Sequence, residues 1–265
     1  MNIDNLFDPN EKPLDNIVSD GGFCGVLRKI ACVGDSLSSG ELESLSENGE
    51  RGWHDMYDYS WGQYIARMAG CTVYNFSRGG MSAEWYNRDF ADENDLWNPE
   101  KACQAYIIAL GVNDVANCRA PVGSIDDVCI EDYTKNKPTF AGHYAKVVQR
   151  YKEIQPDAKF FFVTIPIYGD DESFEATCDA HQKLMYDFAE MCDNSYVIDL
   201  RKYGVVYDRA FRKKFFTGGH MNAMGYLYTG KVIASYIDYI IRHNIEDFNQ
   251  IGFVGTPYKY CESEN

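Results

Sequence analysis

The sequence predicts an α/β protein: a parallel sheet with helices on both faces. Two observations carry that expectation. Short, near-continuous apolar runs alternate with longer segments of helical periodicity, and unbroken apolar runs are what strands buried on both faces look like. Several of these runs also stop at a glycine or a proline. Such stops mark the carboxyl edge of the sheet, beyond which ligands of this architecture bind.

Taken in order, residues 1–27 are polar with little periodicity and read as an N-terminal extension. Leu27 to Val33 is the first strand and ends at Gly34. Trp61 to Met68 is a helix stopped by Gly70, and Cys71 to Phe76 the second strand. Ala105 to Leu110 is the third strand, again followed by a glycine. Phe160 to Ile165 is the fourth, stopped by Pro166, and Tyr196 to Leu200 the fifth. Tyr144, Val147, Val148 and Tyr151 fall at i, i+3, i+4 and i+7 and mark a helix. Residues 172–192 give another, and the longest runs from Asn222 to His243. Gly225 and Gly230 inside it each cost roughly 1 kcal/mol against alanine, which close packing can offset. Glu41 to Glu50, which is acidic, and Pro121 to Pro138 read as long surface loops, and the tail after Phe248 as a wrap or a disordered end.

Composition removes several function classes. A net charge of −15 repels phosphate backbones and anionic lipid, so neither nucleic acid nor a membrane surface is an expected partner. No window has the length and apolarity of a membrane span. The nine cysteines contain no CxxC pair, which leaves zinc-ribbon and thioredoxin-like sites without support. They read as small buried hydrophobes in a reducing compartment. The start, Met1 to Asn5, carries no basic region followed by an apolar run, and the expected location is cytoplasmic.

Four segments carry chemistry. Ser36 lies in Gly34-Asp35-Ser36-Leu37 at a strand-to-helix turn, where a hydroxyl can be exposed, although Asp35 or Ser36 could simply cap that helix. Gly79-Gly80 can offer the Gly80 backbone N–H. Asn113, in Gly111-Val112-Asn113-Asp114, can donate an uncharged amide to an oxyanion, or act as an ordinary turn residue. His220 follows Gly218-Gly219 and precedes the last helix, an exposed and orientable position for a base. His143, His181 and His243 sit on or near helices and fit structural roles; His54 could line a cleft but has no motif. Together the four segments supply a nucleophile, oxyanion donors and a base, the set that acyl transfer to a hydroxyl needs.

In this order the segments resemble the SGNH hydrolases, the GDSL esterase/lipase family. Ser60-Trp61-Gly62-Gln63-Tyr64 also looks like that family's helix between the first two blocks. The resemblance implies a flavodoxin-like three-layer α/β/α sandwich over 28–245, between the 1–27 extension and a C-terminal tail over 246–265. It implies Ser36 as nucleophile, His220 as base, and an oxyanion hole from the Ser36 and Gly80 backbones and the Asn113 side chain. No metal and no organic cofactor are implied. The implied substrate is a small acyl ester, with an acetylated carbohydrate suggested by the aromatic residues Trp53, Tyr57, Tyr59, Trp61, Trp85 and Tyr86.

One departure stands out. The family places an aspartate three residues before the histidine, and here that position is Thr217. A neutral hydroxyl cannot stabilise an imidazolium as a carboxylate does, so the expectation is a Ser36–His220 dyad. Asp199 and Asp208 are candidate replacement acids without the right spacing. The same departure motivates a second class, a catalytically impaired SGNH-fold carbohydrate-binding module. A dinucleotide-binding reading fails because Gly34-Asp35-Ser36 does not supply the Gly-x-Gly-x-x-Gly turn.

Overall fold

The computed structural model describes residues 7–169 and 171–259. Five strands form the central sheet: β1 (Lys29–Gly34), β4 (Thr72–Ser77), β5 (Ala105–Ala109), β6 (Lys159–Val163) and β7 (Ser195–Ile198). Their order is β4-β1-β5-β6-β7, and every neighbouring pair is parallel. Numbered within this sheet alone, that is the 2-1-3-4-5 order of the flavodoxin-like fold, with its switch point at β1 and β5.

Alternation along the strands divides the core into two layers. Ile30, Cys32, Val73, Ile107, Phe161 and Val163 point to one face. There they pack under α2 (Trp61–Ala69) and α10 (Ala223–His243). Ala31, Val33, Phe76, Tyr106, Ile108 and Phe162 point to the other face, under α6 (Phe140–Ile154) and α7 (Glu172–Met191). A strand buried on both sides cannot show a polar-apolar alternation, which is why the sequence runs are continuous. The five strands, α2, α7 and α10 lie where the sequence places them, within one or two residues, and α6 contains the Tyr144 to Tyr151 periodicity and extends three or four residues beyond it at each end. Gly230 has the close-packing role: a Cβ there would lie 3.0 Å from the Trp61 carbonyl oxygen and from Tyr64 Cβ.

Smaller elements fill the connections. They are α1 (Ser36–Ser39), α3 (Ala83–Trp85), α4 (Ala91–Glu93), α5 (Val112–Ala116), α8 (Leu200–Tyr203) and α9 (Arg209–Phe215). Two short antiparallel ribbons complete the chain, β2 (Glu41–Leu45) with β3 (Arg51–Asp55) and β8 (Phe216–Thr217) with β9 (His220–Met221). The first ribbon corrects the reading of Glu41 to Glu50 as a loop. Residues 121–138 are indeed irregular apart from short turns at Ile125–Asp127 and Tyr133–Lys135.

The described part of the N-terminal extension straps the far end of α10. Val18 N–H donates to Ser235 Oγ at 2.9 Å and Phe23 N–H to Asp238 Oδ1 at 2.7 Å. Glu11 grips Arg242, with Arg242 Nη2 donating to Glu11 Oε1 at 2.7 Å. At 1.5 Å per residue these contacts lie roughly 20–30 Å along the helix from its His220 end. Residues 7–27 therefore pack away from the carboxyl edge of the sheet. Residues 248–254 also pack at the opposite edge, where Gln104 Nε2 donates to the Ile251 carbonyl at 2.7 Å and Phe248, Ile251 and Val254 are buried; residues 260–265 of the expected tail lie outside the described residues.

Candidate active site

The topology brings the ends of β1, β4 and β5 to one rim, and β9 joins them through its contact with α1. Ser36 opens α1 immediately after β1, and its residue exposure is only 8%. Asp35 caps that turn, its Oδ1 accepting from Leu37 N–H at 3.0 Å. The helix is four residues long and ends at Gly40, φ 80°. Its dipole is correspondingly slight, so the turn serves mainly to aim the serine.

Asn113 is the second residue of α5. Gly111, φ 135°, makes the bend that puts it there. No side chain fits at that bend, because a Cβ on Gly111 would lie 2.6 Å from His181 Nε2. His181 is buried, bonds the Leu110 carbonyl through Nε2 at 3.3 Å, and has its pKa pushed down to about 4 by burial. It is a neutral support under the loop, in keeping with the structural role expected of it. Asn113 Nδ2 donates to the Met81 carbonyl at 3.2 Å and lies 3.5 Å from Asp35 Oδ2, while Oδ1 accepts from Asn117 at 2.6 Å. The amide is thus held with its donor toward Asp35 and the Arg78–Met81 turn. Gly80 adopts φ 74° in that turn. Among the described residues, neither the Ser36 hydroxyl nor the Gly80 N–H has a hydrogen-bond partner.

His220 begins β9, facing Thr217 across the ribbon. Its environment differs from expectation in two ways. Nδ1 lies 2.7 Å from Glu43 Oε1, and Gly219 N–H donates to the same oxygen at 2.7 Å. Nε2 lies 3.0 Å from Glu41 Oε1, so Glu41 and not Ser36 holds that nitrogen here. Both carboxylates come from β2, whose residues 41, 43 and 45 share one face.

The two glutamates are electrostatically different. Burial pushes the Glu43 carboxyl up, but hydrogen bonds from His220 and Gly219 outweigh it and leave the pKa below the usual value. Glu43 is therefore ionised, and Nδ1 must carry the hydrogen that faces it. Glu41 is raised instead: burial dominates, His220 opposes it, and the nearby Asp55 and Glu43 carboxylates add to it. Asp35 is raised to about 7, chiefly by burial.

The candidate acids proposed from spacing lie elsewhere. Asp199 is buried among Thr164, Gln182, Tyr186 and the Lys202 N–H, a fully satisfied structural acceptor. Asp208 caps α9 by accepting from Phe211 N–H at 2.8 Å. Glu43 has one local signal: Asn48-Gly49, a favoured hairpin turn pair, lies between two short segments, Glu41 to Leu45 and Arg51 to Asp55. Gly49 has φ 82° there, with Ser46 N–H donating to the Glu50 carbonyl at 2.8 Å. Of the aromatic residues, Trp61 and Tyr86 belong to the core, whereas Trp53 is 56% exposed on the hairpin. His54 bonds Ser44 Oγ at 2.8 Å, on the hairpin face that does not carry Glu43.

The profile of the GDSL-like lipase/acylhydrolase family matches residues 32–227. The chain belongs to that family. Solved structures similar to it include a family 2 carbohydrate esterase with a carbohydrate-binding domain from Corynascus thermopiles (Myceliophthora fergusii), at 17% identity and TM-score 0.56, over 81% of this chain and 66% of that one. A family two carbohydrate esterase from Clostridium thermocellum, in complex with cellohexaose, aligns at 16% identity and TM-score 0.56, over 89% of this chain and 66% of that one. A Clostridium thermocellum family 3 carbohydrate esterase aligns at 14% identity and TM-score 0.52, over 81% and 97%. No curated protein sequence matches the chain. The rim at the carboxyl edge of the sheet carries Ser36 after β1, Gly80 after β4 and Asn113 after β5, with His220 on the ribbon beside α1. Among the described residues no helix is long and apolar enough to cross a membrane.

Proposed function

We propose that this GDSL-family hydrolase is a serine esterase acting on small acyl esters, with an acetyl ester of a carbohydrate as its substrate class. The observation that carries the reading is the 2.7 Å contact between Glu43 Oε1 and His220 Nδ1. It supplies the carboxylate whose absence at position 217 suggests a dyad or an inactive binding module. The acid comes from a hairpin strand, yet it takes the nitrogen that a triad acid must take.

The roles follow from the chemistry. Ser36 Oγ attacks the ester carbonyl as His220 Nε2 accepts its proton. Glu43 keeps the other ring nitrogen protonated and stabilises the imidazolium that forms. The tetrahedral oxyanion accepts from the Ser36 and Gly80 N–H groups and from Asn113 Nδ2. His220 then protonates the departing alcohol, and water repeats the sequence on the acyl-enzyme. The Ser36 hydroxyl and the Gly80 N–H, which have no hydrogen-bond partner among the described residues, are free to take these roles. The carbohydrate assignment is supported by the carbohydrate esterases of the same fold and by the exposed Trp53 beside Glu43.

A fluorophosphonate probe and p-nitrophenyl acetate test the reading. Stoichiometric labelling and hydrolysis, both abolished in Ser36→Ala, are expected. Equal hydrolysis by wild type and Ser36→Ala removes the nucleophile assignment.

A further inference from the structure

The triad uses one of the two glutamates of β2, and the other is left without a role. Glu41 sits where it obstructs. Its Oε1 is 3.0 Å from His220 Nε2, the nitrogen that must receive the Ser36 proton. Its Oε2 borders the other side of the rim, where a Cβ on Gly79 would lie 2.0 Å away. The carboxylate thus spans from the base to the Gly79-Gly80 turn, the strip across which a bound ester has to lie. Its side chain is 12% exposed. Its main-chain carbonyl is fixed by Tyr226, whose hydroxyl donates to it at 2.7 Å and also reaches the Ser36 carbonyl at 3.4 Å. The obstruction is therefore built into the same support that holds the nucleophile.

A carboxylate on the base nitrogen is displaced most readily by a group that gives it another hydrogen bond. An unsatisfied buried carboxylate is costly, so a substrate offering no donor has to strand Glu41, while one offering a hydroxyl does not. The same hairpin face carries Trp53 directly opposite Glu43, 56% exposed. A flat apolar surface beside an acceptor matches a sugar ring, which presents C–H faces and an edge of hydroxyls.

We propose that Glu41 is a specificity-determining residue. It accepts a hydrogen bond from a hydroxyl next to the ester on the sugar alcohol, and that exchange frees His220 for Ser36. In the resting site a single proton lies between Glu41 and Nε2. When the sugar binds, that proton passes to a solvent water, the sugar O–H donates to the Glu41 carboxylate, and the Nε2 lone pair turns to the Ser36 hydroxyl. The bond to that one proton is broken and re-formed on water, and no other covalent bond changes in this step. The inference rests on the esterase reading above.

Three acetyl esters test it: p-nitrophenyl acetate, a mono-O-acetyl methyl glucopyranoside with a free neighbouring hydroxyl, and the same glycoside with that hydroxyl methylated. Each is assayed with wild type, Glu41→Ala, Glu41→Gln and a Ser36→Ala blank. The ratio of kcat/KM between two substrates does not depend on the fraction of folded enzyme. Glu41→Ala is expected to raise kcat/KM several-fold on p-nitrophenyl acetate and to lower it roughly tenfold to a hundredfold on the free glycoside. Glu41→Gln, which retains an acceptor, should recover part of the glycoside activity. Wild type should prefer the free over the methylated glycoside, and Glu41→Ala should lose that preference. If Glu41→Ala changes all three substrates by one factor, or wild type does not distinguish the two glycosides, the proposal is wrong while the esterase reading stands. If wild type shows no Ser36-dependent hydrolysis and no fluorophosphonate labelling, the esterase reading fails and the Glu41 proposal falls with it.

Discussion

Removing the charge of Glu43 should slow ester hydrolysis by two to three orders of magnitude without unfolding the protein. Its carboxylate is 2.7 Å from His220 Nδ1, with a side-chain exposure of only 8%, so solvent screens the pair weakly. Unit charges with centres about 4 Å apart attract by about 4 kcal/mol at an effective dielectric near 20. In the substrate complex, with Glu41 displaced and the imidazole neutral, this attraction appears only once the ring has taken the Ser36 proton, so it lowers the barrier from that complex. Four kcal/mol corresponds to about 10³ in rate. Glu43→Gln keeps an oxygen able to accept from both Gly219 N–H and His220 Nδ1–H, and loses only the charge; about 10²–10³ is expected. Glu43→Ala also releases the ring orientation and should cost about 10³–10⁴, the scale seen when a triad carboxylate is lost. The assay is kcat and KM on p-nitrophenyl acetate with Ser36→Ala as blank, alongside thermal unfolding. The effect should fall on kcat. A folded Glu43→Gln or Glu43→Ala enzyme within threefold of wild type in kcat/KM would refute the argument.

Asn113→Ala should lose roughly 10²–10³ in kcat if its amide serves the oxyanion; an unchanged kcat removes it from the hole. Asp114 gives a stability prediction. Burial raises its pKa from 3.8 to about 7, with the Ala83 N–H bond opposing and Asp35 adding to the rise. The folded state therefore holds a proton that the unfolded state has released between about pH 4 and 7. Stability contributed by the protonated form is full below that window and is lost as pH rises through it. Asp114→Asn keeps an acceptor for Ala83 and cannot ionise. Its unfolding free energy should exceed that of wild type at pH 8 by an amount on the order of a few kcal/mol, read by chemical denaturation, and the gap should close toward pH 4. A gap that widens on acidification would contradict the burial argument.

Much of this fold is readable because its signals are local. A strand buried on both faces is a continuous apolar run, and a turn that bends at the sheet edge needs a glycine. Gly34, Gly80 and Gly111 therefore announced the rim, and with it Ser36 and Asn113. His220 was legible for the same reason, since Gly218-Gly219 and a helix start flank it. Glu41 to Glu50 was misread because acidity and turn residues look alike in loops and in an exposed ribbon. Asn48-Gly49 was the local mark that distinguished them.

By itself, then, the chain's order of residues determined the five strands, the helices that cover them and the turns that carry a serine, an amide and an imidazole. Those depend on contacts between near neighbours, which periodicity and backbone freedom record directly. Which acid meets the imidazole was decided only in three dimensions. Glu43 and His220 are 177 positions apart, and the ribbon that joins them is held by pairing across β2 and β3 and by the Tyr226 hydroxyl. No spacing rule encodes a contact of that kind, because it exists only after the sheet has brought both ends of the chain to one rim.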